Sequence, residues 1–198
     1  MFVQIIEGRV SDREGLQRQG EKWQAELRPG ATGYLGSTHG VTDDGAGFTI
    51  VRFESAEAAR ANSDRPEQGA WWAETSACYE GEVSFSESDE VDEFLGGGSD
   101  DAGFVQVMKS RGMDRERVRE LDEKFSAHAS TWRPDLVGGV RVWTGPDTCV
   151  EVAYFTNEAA ARDGEQREPP AELAAEMGDF EAMMANTEFL DLRDPILR

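Results

Sequence analysis

An internal repeat is the feature that most constrains the fold of this 198-residue chain. Matching segments recur at one offset along both halves: FVQII at residues 2–6 and FVQVM at 104–108, DRE at 12–14 and 114–116, and AAR at 58–60 and 160–162. So many matches at one spacing indicate two copies of a single folding unit. We expect the copies at residues 1–95 and 104–198, joined by a flexible Gly- and Asp-rich linker at residues 96–103.

Each copy shows the same order of predicted elements. Short β-rich or alternating segments predict four strands per copy, at residues 3–6, 34–39, 48–53 and 82–86 in the first and 105–108, 137–144, 149–155 and 188–192 in the second. Two helical regions lie between them. The first helix has capping candidates at Ser11 and Asp114, and an Arg-Pro pair ends it in both copies.

The second helical region of each copy follows a serine or asparagine cap, at Ser55 and Asn157. Prolines interrupt it, and we expect it to resume at residues 71–79 and 173–184. The resulting order, β-α-β-β-α-β, predicts a ferredoxin-like unit.

A unit of this kind carries helices on one face of its sheet, so the other apolar face must be covered. Two tandem copies can cover each other sheet to sheet. The sequence therefore predicts an α+β fold in which two ferredoxin-like repeats form a pseudo-twofold dimeric α/β barrel within one chain. We expect this intramolecular pseudo-dimer to be a monomer or a weak higher oligomer.

The composition excludes several classes of protein. Forty acidic and 20 basic side chains give a net charge of −20, which repels phosphate backbones and argues against nucleic-acid partners. There is no apolar run long enough for a membrane span, and the N-terminal segment lacks the features of a secretion signal. Two cysteines, Cys78 and Cys149, cannot form a disulfide framework. We expect a cytoplasmic protein with neither membrane nor nucleic-acid partners.

Two segments resemble the dimeric α/β-barrel superfamily, and within it the domains similar to antibiotic-biosynthesis monooxygenases. RPGATGYLGS at residues 28–37 resembles the Pro-Gly entry into the second strand of that family. FTIVRFESAEAA at residues 48–59 resembles its third strand and the following helix start, and the second copy keeps this pattern as VEVAYFTNEA at 150–159. These motifs encode a turn, a strand and a cap, so they are more specific for fold than for function.

Members of that superfamily include cofactor-independent monooxygenases of aromatic polyketides, haem-degrading enzymes, small-molecule isomerases and decarboxylases, and domains without known activity. Its haem-degrading members place a histidine on the second helical region and an asparagine on the first strand. Here residues 71–79 and 173–184 contain no histidine, and Gln4 and Gln106 stand in place of that asparagine. These departures from the haem-degrading pattern argue against a haem-degrading role, and we expect no metal or other cofactor.

Gln4 shares one strand face with the apolar Phe2 and Ile6, and Gln106 shares the matching face with Phe104 and Met108. Such an amide needs hydrogen-bond partners: it could orient a ligand, or it could bond the backbone across the two sheets. His39 and His128 are the only histidines and do not occupy matching positions. Either could act as a general base, or lie at a surface without catalytic role.

Aromatic side chains could line a pocket for a flat ligand, or could form ordinary core. The aromatic candidates are Tyr34, Trp71, Trp72, Trp132, Trp143 and Tyr154. Trp71 and Trp72 are adjacent, so they point to different faces of a helix. Arg52 shares a strand face with Phe48 and Ile50; it could hold an anionic group, or extend its stem to the sheet edge.

The copies differ most at aromatic positions, where we match Thr38 to Trp143, Arg52 to Tyr154 and Trp72 to Leu173. This divergence predicts two unlike pockets, of which one is functional. Two functions remain open. One is a monooxygenase-like barrel that binds a small aromatic molecule and oxidises it without a cofactor. The other is a non-catalytic binding or stress-associated scaffold.

Overall fold

The computed structural model describes all 198 residues, and they form two compact units. Unit 1 comprises Met1–Asp89 together with Ile196–Arg198, and unit 2 comprises Glu90–Pro195. Each unit combines helices with one five-stranded antiparallel sheet. The predicted α+β class and the repeated ferredoxin-like order are therefore confirmed. None of the helices combines the length and the apolar character needed to cross a bilayer.

Unit 1 contains five strands and three α-helices. They are β1 (Phe2–Val10), α1 (Arg13–Lys22), β2 (Tyr34–Val41), β3 (Ala46–Phe53), α2 (Ala56–Ser63), α3 (Pro66–Ser76), β4 (Tyr79–Ser88) and β10 (Ile196–Leu197). The strand order is β10-β2-β3-β1-β4. The predicted β-α-β-β-α-β order is present, with two helices, α2 and α3, in the second helical region. β10 extends the sheet beside β2.

Unit 2 repeats this arrangement with a longer first helix. Its elements are β5 (Val91–Phe94), β6 (Phe104–Arg111), α4 (Arg115–Trp132), β7 (Leu136–Trp143), β8 (Thr148–Phe155), α5 (Glu158–Glu165), α6 (Ala171–Ala174), α7 (Met177–Met184) and β9 (Glu188–Leu192). The strand order is β5-β7-β8-β6-β9. Between sheet and helices, Phe104, Met108, Ala153 and Phe155 pack on Ala161.

The edge strands move the unit boundaries away from the predicted ones. β5 lies within the predicted first copy but pairs with β7 of unit 2, and β10 lies within the predicted second copy but pairs with β2 of unit 1. Residues 90–95 therefore belong to unit 2, and the last three residues belong to unit 1. The residues that follow β5, at 96–103, form the loop before β6.

Helix starts follow the capping rules, with one correction. The Asp12 carboxylate, rather than the predicted Ser11 hydroxyl, caps α1 by accepting a hydrogen bond from the Gly15 N–H at 2.8 Å. Ser11 instead donates to the Cys78 carbonyl at 3.1 Å. Asp114 caps α4 as predicted, because its carboxylate accepts from the N–H groups of the first helical turn.

The second helical regions begin and end differently from the prediction. Pro66 does not interrupt a helix but opens α3, where its missing N–H leaves no helical bond unmade. The helix ends at Ser76, so Tyr79 begins β4 rather than closing the helix. In unit 2 the predicted helix at 173–184 is two helices, α6 and α7, separated by a turn.

Strand pairing corrects one predicted match between the copies. Thr38 on β2 pairs with Ile50 on β3, and Val140 on β7 pairs with Val152 on β8. Ile50 and Val152 occupy the same position in the two copies. Thr38 therefore corresponds to Val140 and not to Trp143. By the same register His39 corresponds to Arg141.

Candidate functional site

Unit 1 contains a cavity of about 410 Å³ between its sheet and its helices. Alternate residues of the strands form its floor, because successive side chains point to opposite faces of a sheet. The floor residues are Gln4 and Ile6 of β1, Ser37 and His39 of β2, Thr49, Val51 and Phe53 of β3, Phe85 and Glu87 of β4, and Arg198 beyond β10. Residues of α1, α2 and α3 form the roof. The whole cavity lies within one unit.

Aromatic rings form two groups around the cavity. At one side, the Trp23 ring lies 4.9 Å from the Tyr34 ring, centroid to centroid, and Tyr34 lies 6.0 Å from Phe53. At the other, Trp72 meets Phe85 edge to face at 5.1 Å. Tilted and edge-to-face pairs of this kind are favourable arrangements for aromatic rings. Such walls suit a flat apolar ligand.

Trp71 and Trp72 both line the cavity although they are adjacent in α3. Their ring centroids are 6.1 Å apart, and the Trp71 indole N–H donates to the Gln19 carbonyl at 2.8 Å. Trp72 also lies 6.5 Å from Tyr79, and burial raises the pKa of Tyr79 to about 12. The Tyr79 hydroxyl is therefore protonated at neutral pH.

A π-helical turn, Trp23–Leu27, follows α1 and supplies two roof residues. Backbone hydrogen bonds in a π-helical turn link residues five apart instead of four, so the side chains that follow are rotated around the helix axis. Such turns often occur at functional sites. The Trp23 indole N–H donates to Gln68 Oε1 at 2.9 Å. Gln24 Oε1 is buried without a hydrogen-bond partner, and Gln24 lines the cavity.

His39 places an imidazole in the cavity. Burial lowers the pKa of His39 to about 4, and the positive charge of Arg198 contributes in the same direction. The imidazole makes no hydrogen bond to any other residue. At neutral pH it is therefore uncharged, with one ring nitrogen free to accept a proton or a hydrogen bond.

The hydroxyl groups of Tyr34 and Ser37 lie 2.8 Å apart beside His39 on β2. Burial raises the pKa of Tyr34, although the hydrogen bond to Ser37 and nearby arginines partly oppose this rise. Tyr34 therefore remains a neutral hydroxyl at pH 7. At the opposite edge of the sheet, Gln4 Nε2 donates to Glu87 Oε1 at 2.6 Å across the β1–β4 pair.

Comparison with known proteins identifies the fold. No protein-family model matches the sequence, and no curated protein matches it. Solved structures do match over the whole length. A proposed monooxygenase from Lactobacillus acidophilus NCFM superposes with a TM-score of 0.71 at 14% identity, covering 100% of this chain and 98% of that chain.

A second proposed monooxygenase, from Fusobacterium nucleatum subsp. nucleatum ATCC 25586, gives a TM-score of 0.73 at 10% identity, covering 100% of this chain and 93% of that one. An anthrone oxidase-like protein gives 0.63 at 12% identity, covering 99% and 93%. The chain therefore shares the fold of these three structures. Identities this low show the fold and not the activity.

The cavity of unit 1 brings together half of the predicted pocket residues. Gln4, Tyr34, His39, Trp71 and Trp72 line it. Arg52 does not. It lies on the opposite face of the sheet from its neighbours Val51 and Phe53, and its Nε is buried without a partner.

The other predicted candidates belong to unit 2 and have structural partners. Gln106 Nε2 donates to Asp191 at 3.0 Å, as Gln4 does to Glu87 at the matching position. The Trp132 indole N–H donates to a backbone carbonyl at 3.4 Å. Trp143 and Tyr154 are fully buried, and the Trp143 indole N–H donates to Asp92 at 2.7 Å.

Charged side chains occupy the corresponding region of unit 2. Where unit 1 has Gly20, His39 and Thr49, the repeat places Asp122, Arg141 and Glu151. The Arg141 side chain is 6% exposed and pairs with both carboxylates, with 2.5 Å between its Nη2 and Glu151 Oε2. Small and neutral groups thus leave room in unit 1, while ion pairs fill the matching region in unit 2.

The cavity offers acid–base and hydrogen-bonding groups but no ready metal site. No group of three or more His, Cys, Asp or Glu side chains in the 198 residues is arranged so that it could hold a metal ion. The arrangement can enclose a flat molecule, accept a proton at His39 and donate from Tyr34 or Ser37. Sequence reasoning missed Gly20, Trp23, Gln24, Phe85 and Arg198. The repeat itself offered one signal, since Gly20 stands where the other copy has Asp122.

Proposed function

We propose that the unit 1 cavity binds a small aromatic molecule and promotes its oxidation by molecular oxygen. One observation carries this proposal: an uncharged imidazole without a partner, that of His39, lies inside an aromatic-walled cavity. The likeness to an anthrone oxidase-like structure and to two proposed monooxygenases supports the same reaction class. Their low identity leaves the substrate to be found by experiment.

The size and lining of the cavity suit a ligand of two or three fused rings. Its volume of about 410 Å³ falls in the range of roughly 300–1,000 Å³ found for small-molecule sites. Trp23 and Trp72 provide faces or edges for stacking from the two aromatic groups. The polar groups at Tyr34 and Ser37 are few and close together, so they can fix the orientation of one oxygen-bearing group.

The chemistry that we assign to His39 is proton abstraction from an acidic C–H or O–H group of the substrate. An isolated imidazolium is unfavourable in this buried position, but a carbanion or phenolate formed beside it offsets that penalty by charge pairing. In an anthrone, His39 removes a proton from the ring CH₂ group and the carbanion gives electrons to O₂. The resulting C–O₂H group loses water as the C=O bond forms, so one anthrone and one O₂ give one anthraquinone and one water.

Oxygen consumption with anthrone tests this reaction. An oxygen electrode and anthraquinone absorbance should show one O₂ consumed per quinone formed, without an added cofactor. His39→Gln removes the base, and a lost base typically lowers a rate by about 10²–10⁴-fold. His128→Gln, on α4 of unit 2, is the control and keeps the wild-type rate. A rate in His39→Gln equal to that of wild type refutes the role of His39.

The second candidate is binding without turnover. It is favoured by the low pKa of His39, which makes the imidazole a weak base, and by the lack of any carboxylate bonded to the imidazole. If anthrone and related hydroquinones bind in the cavity but wild-type protein does not accelerate their oxidation, this second function is supported and the oxidase function is rejected.

A further inference from the structure

The last strand of the chain brings an arginine to the cavity. The Ser37 N–H donates to the Arg198 carbonyl at 2.7 Å, and the Arg198 N–H donates to the Ser37 carbonyl at 2.9 Å. Residues that exchange both backbone hydrogen bonds in an antiparallel pair have their side chains on the same face. Arg198 and Ser37 accordingly both line the cavity, and Ser37 also contacts the Tyr34 hydroxyl.

The arginines at this edge of the cavity have no acidic partner. Arg198 makes no ion pair, and its only side-chain hydrogen bond runs from Nη1 to the neighbouring Leu197 carbonyl. Arg28 also makes no ion pair, and its guanidinium carbon lies 5.8 Å from the centroid of the Tyr34 ring. In a chain with 40 acidic and 20 basic side chains, two arginine side chains near one tyrosine and without acidic side-chain partners are a notable feature.

The charge is distributed unequally across the cavity floor. Arg198 lies beyond β10 at one edge of the sheet, and Glu87 lies on β4 at the other. Four strand spacings separate these edges, which is about 19 Å. Glu87 already accepts a hydrogen bond from Gln4, whereas the Nε and Nη2 groups of Arg198 make no hydrogen bond within the protein. An anionic group is therefore attracted to the Arg198 edge and repelled from the Glu87 edge.

Unit 2 provides an internal comparison at the same position. Phe94 on its edge strand β5 pairs with Gly139, which corresponds to Ser37. The Phe94 ring lies over Gly139, so that a Cβ there would be 1.8 Å from the ring. The edge strand β10 thus places the charged Arg198 side chain at the cavity of unit 1. The edge strand β5 places the apolar Phe94 ring at the matching position of unit 2.

From these contacts we infer that the ligand of unit 1 is an aromatic carboxylate, with its carboxylate held by Arg198 and the Tyr34–Ser37 hydroxyl pair and its rings between the aromatic walls. Guanidinium groups bind carboxylates through paired hydrogen bonds, which a neutral carbonyl group cannot accept with equal strength. This inference rests on the proposed binding function of the cavity, and it adds the charge and the orientation of the ligand.

A matched pair of ligands tests it. 2-Naphthoic acid and 2-naphthamide have the same rings and nearly the same shape, but only the acid is anionic at pH 7.5. We expect calorimetric titration in 50 mM NaCl to show acid binding about fivefold tighter than amide, a modest ratio because Arg198 is exposed. Raising NaCl to 500 mM should reduce this ratio without any mutation, since salt screens exposed charges.

Variants then assign the preference to Arg198. Arg198→Gln should bind acid and amide equally, while Arg198→Lys keeps part of the preference through its charge. Arg193→Gln is the matched control, because Arg193 is an exposed arginine of unit 2 that is paired with Glu158. Unchanged binding of the amide shows that the cavity of a variant is intact; should a variant lose it, the salt titration of wild-type protein decides the question.

The outcomes separate this inference from the proposed function. Binding of the amide with no preference for the acid refutes the carboxylate inference and leaves the aromatic site standing. A preference that persists in Arg198→Gln refutes the role of Arg198. If neither compound binds to wild-type protein, the proposed function and this inference both fail.

Discussion

Protonation of His39 should destabilise the folded protein. Burial lowers the pKa of His39 from about 6.5 to about 4, so the folded chain binds this proton more weakly than the unfolded chain does. The stability contributed by the neutral imidazole is complete above pH 6.5 and is lost as the pH falls from 6.5 towards 4. At about 1.4 kcal/mol per pKa unit, the full loss is about 3 kcal/mol, and about 2 kcal/mol of it has occurred by pH 5.

Urea denaturation of wild-type protein and His39→Gln at pH 7.5 and pH 5 measures this effect. The glutamine variant has no imidazole to protonate, so we expect the wild type to lose about 2 kcal/mol more than the variant between these pH values. Other groups that titrate in this interval are the same in both proteins. The comparison therefore isolates His39.

Nuclear magnetic resonance gives an independent reading, because the chain has only two histidines. In a His128→Gln background the remaining imidazole signal belongs to His39 and should titrate near pH 4. A His39 pKa at or above 6.5, or equal pH dependence of wild type and His39→Gln, would refute the reasoning that this imidazole is neutral because it is buried.

Three further predictions follow from particular contacts. Gly20→Leu should abolish binding of aromatic ligands while the melting temperature shows a folded chain, because a Cβ at Gly20 already lies 3.2 Å from His39 Cε1; retained affinity would show that ligands bind elsewhere. Arg141→Leu leaves two carboxylates without their shared partner and should lower the free energy of unfolding by about 3 kcal/mol, against less than about 1 kcal/mol for the exposed control Arg193→Gln. Burial raises the pKa of Cys149 to about 11, so at pH 8 its thiol should react with a disulfide reagent only after denaturation; rapid reaction in the native protein, lost in Cys149→Ser, would contradict its burial.

Local patterns were sufficient to predict the repeated unit. Matching segments at one offset indicated two copies, and alternating residues such as Gln4 and Ile6 identified one face of a strand. Cap residues such as Ser55 marked helix starts, because capping depends on residues within one turn. These signals are all short in sequence, and the structure confirms the order of strands and helices that they predicted, although the bounds of the second helical regions differ.

The missing parts depend on contacts between distant residues. β10 has two residues and no strand pattern of its own, and it exists because it pairs with β2 more than 150 residues earlier in the sequence. Arg198 therefore could not be assigned to the site from sequence. The cavity exists partly because Gly20 has no side chain. A glycine in a sequence does not show which neighbouring residues would border the space that it leaves.

The five tryptophans report directly on whether aromatic ligands bind in the cavity of unit 1. Three line that cavity, namely Trp23, Trp71 and Trp72, while Trp132 and Trp143 belong to unit 2. Each indole N–H gives one signal in a ¹H–¹⁵N spectrum, and single Trp→Phe variants assign them. On titration with 2-naphthamide, we expect shifts in the three cavity signals and none in the other two. Shifts confined to Trp132 and Trp143, or no shift in any indole signal at saturating ligand, would contradict it.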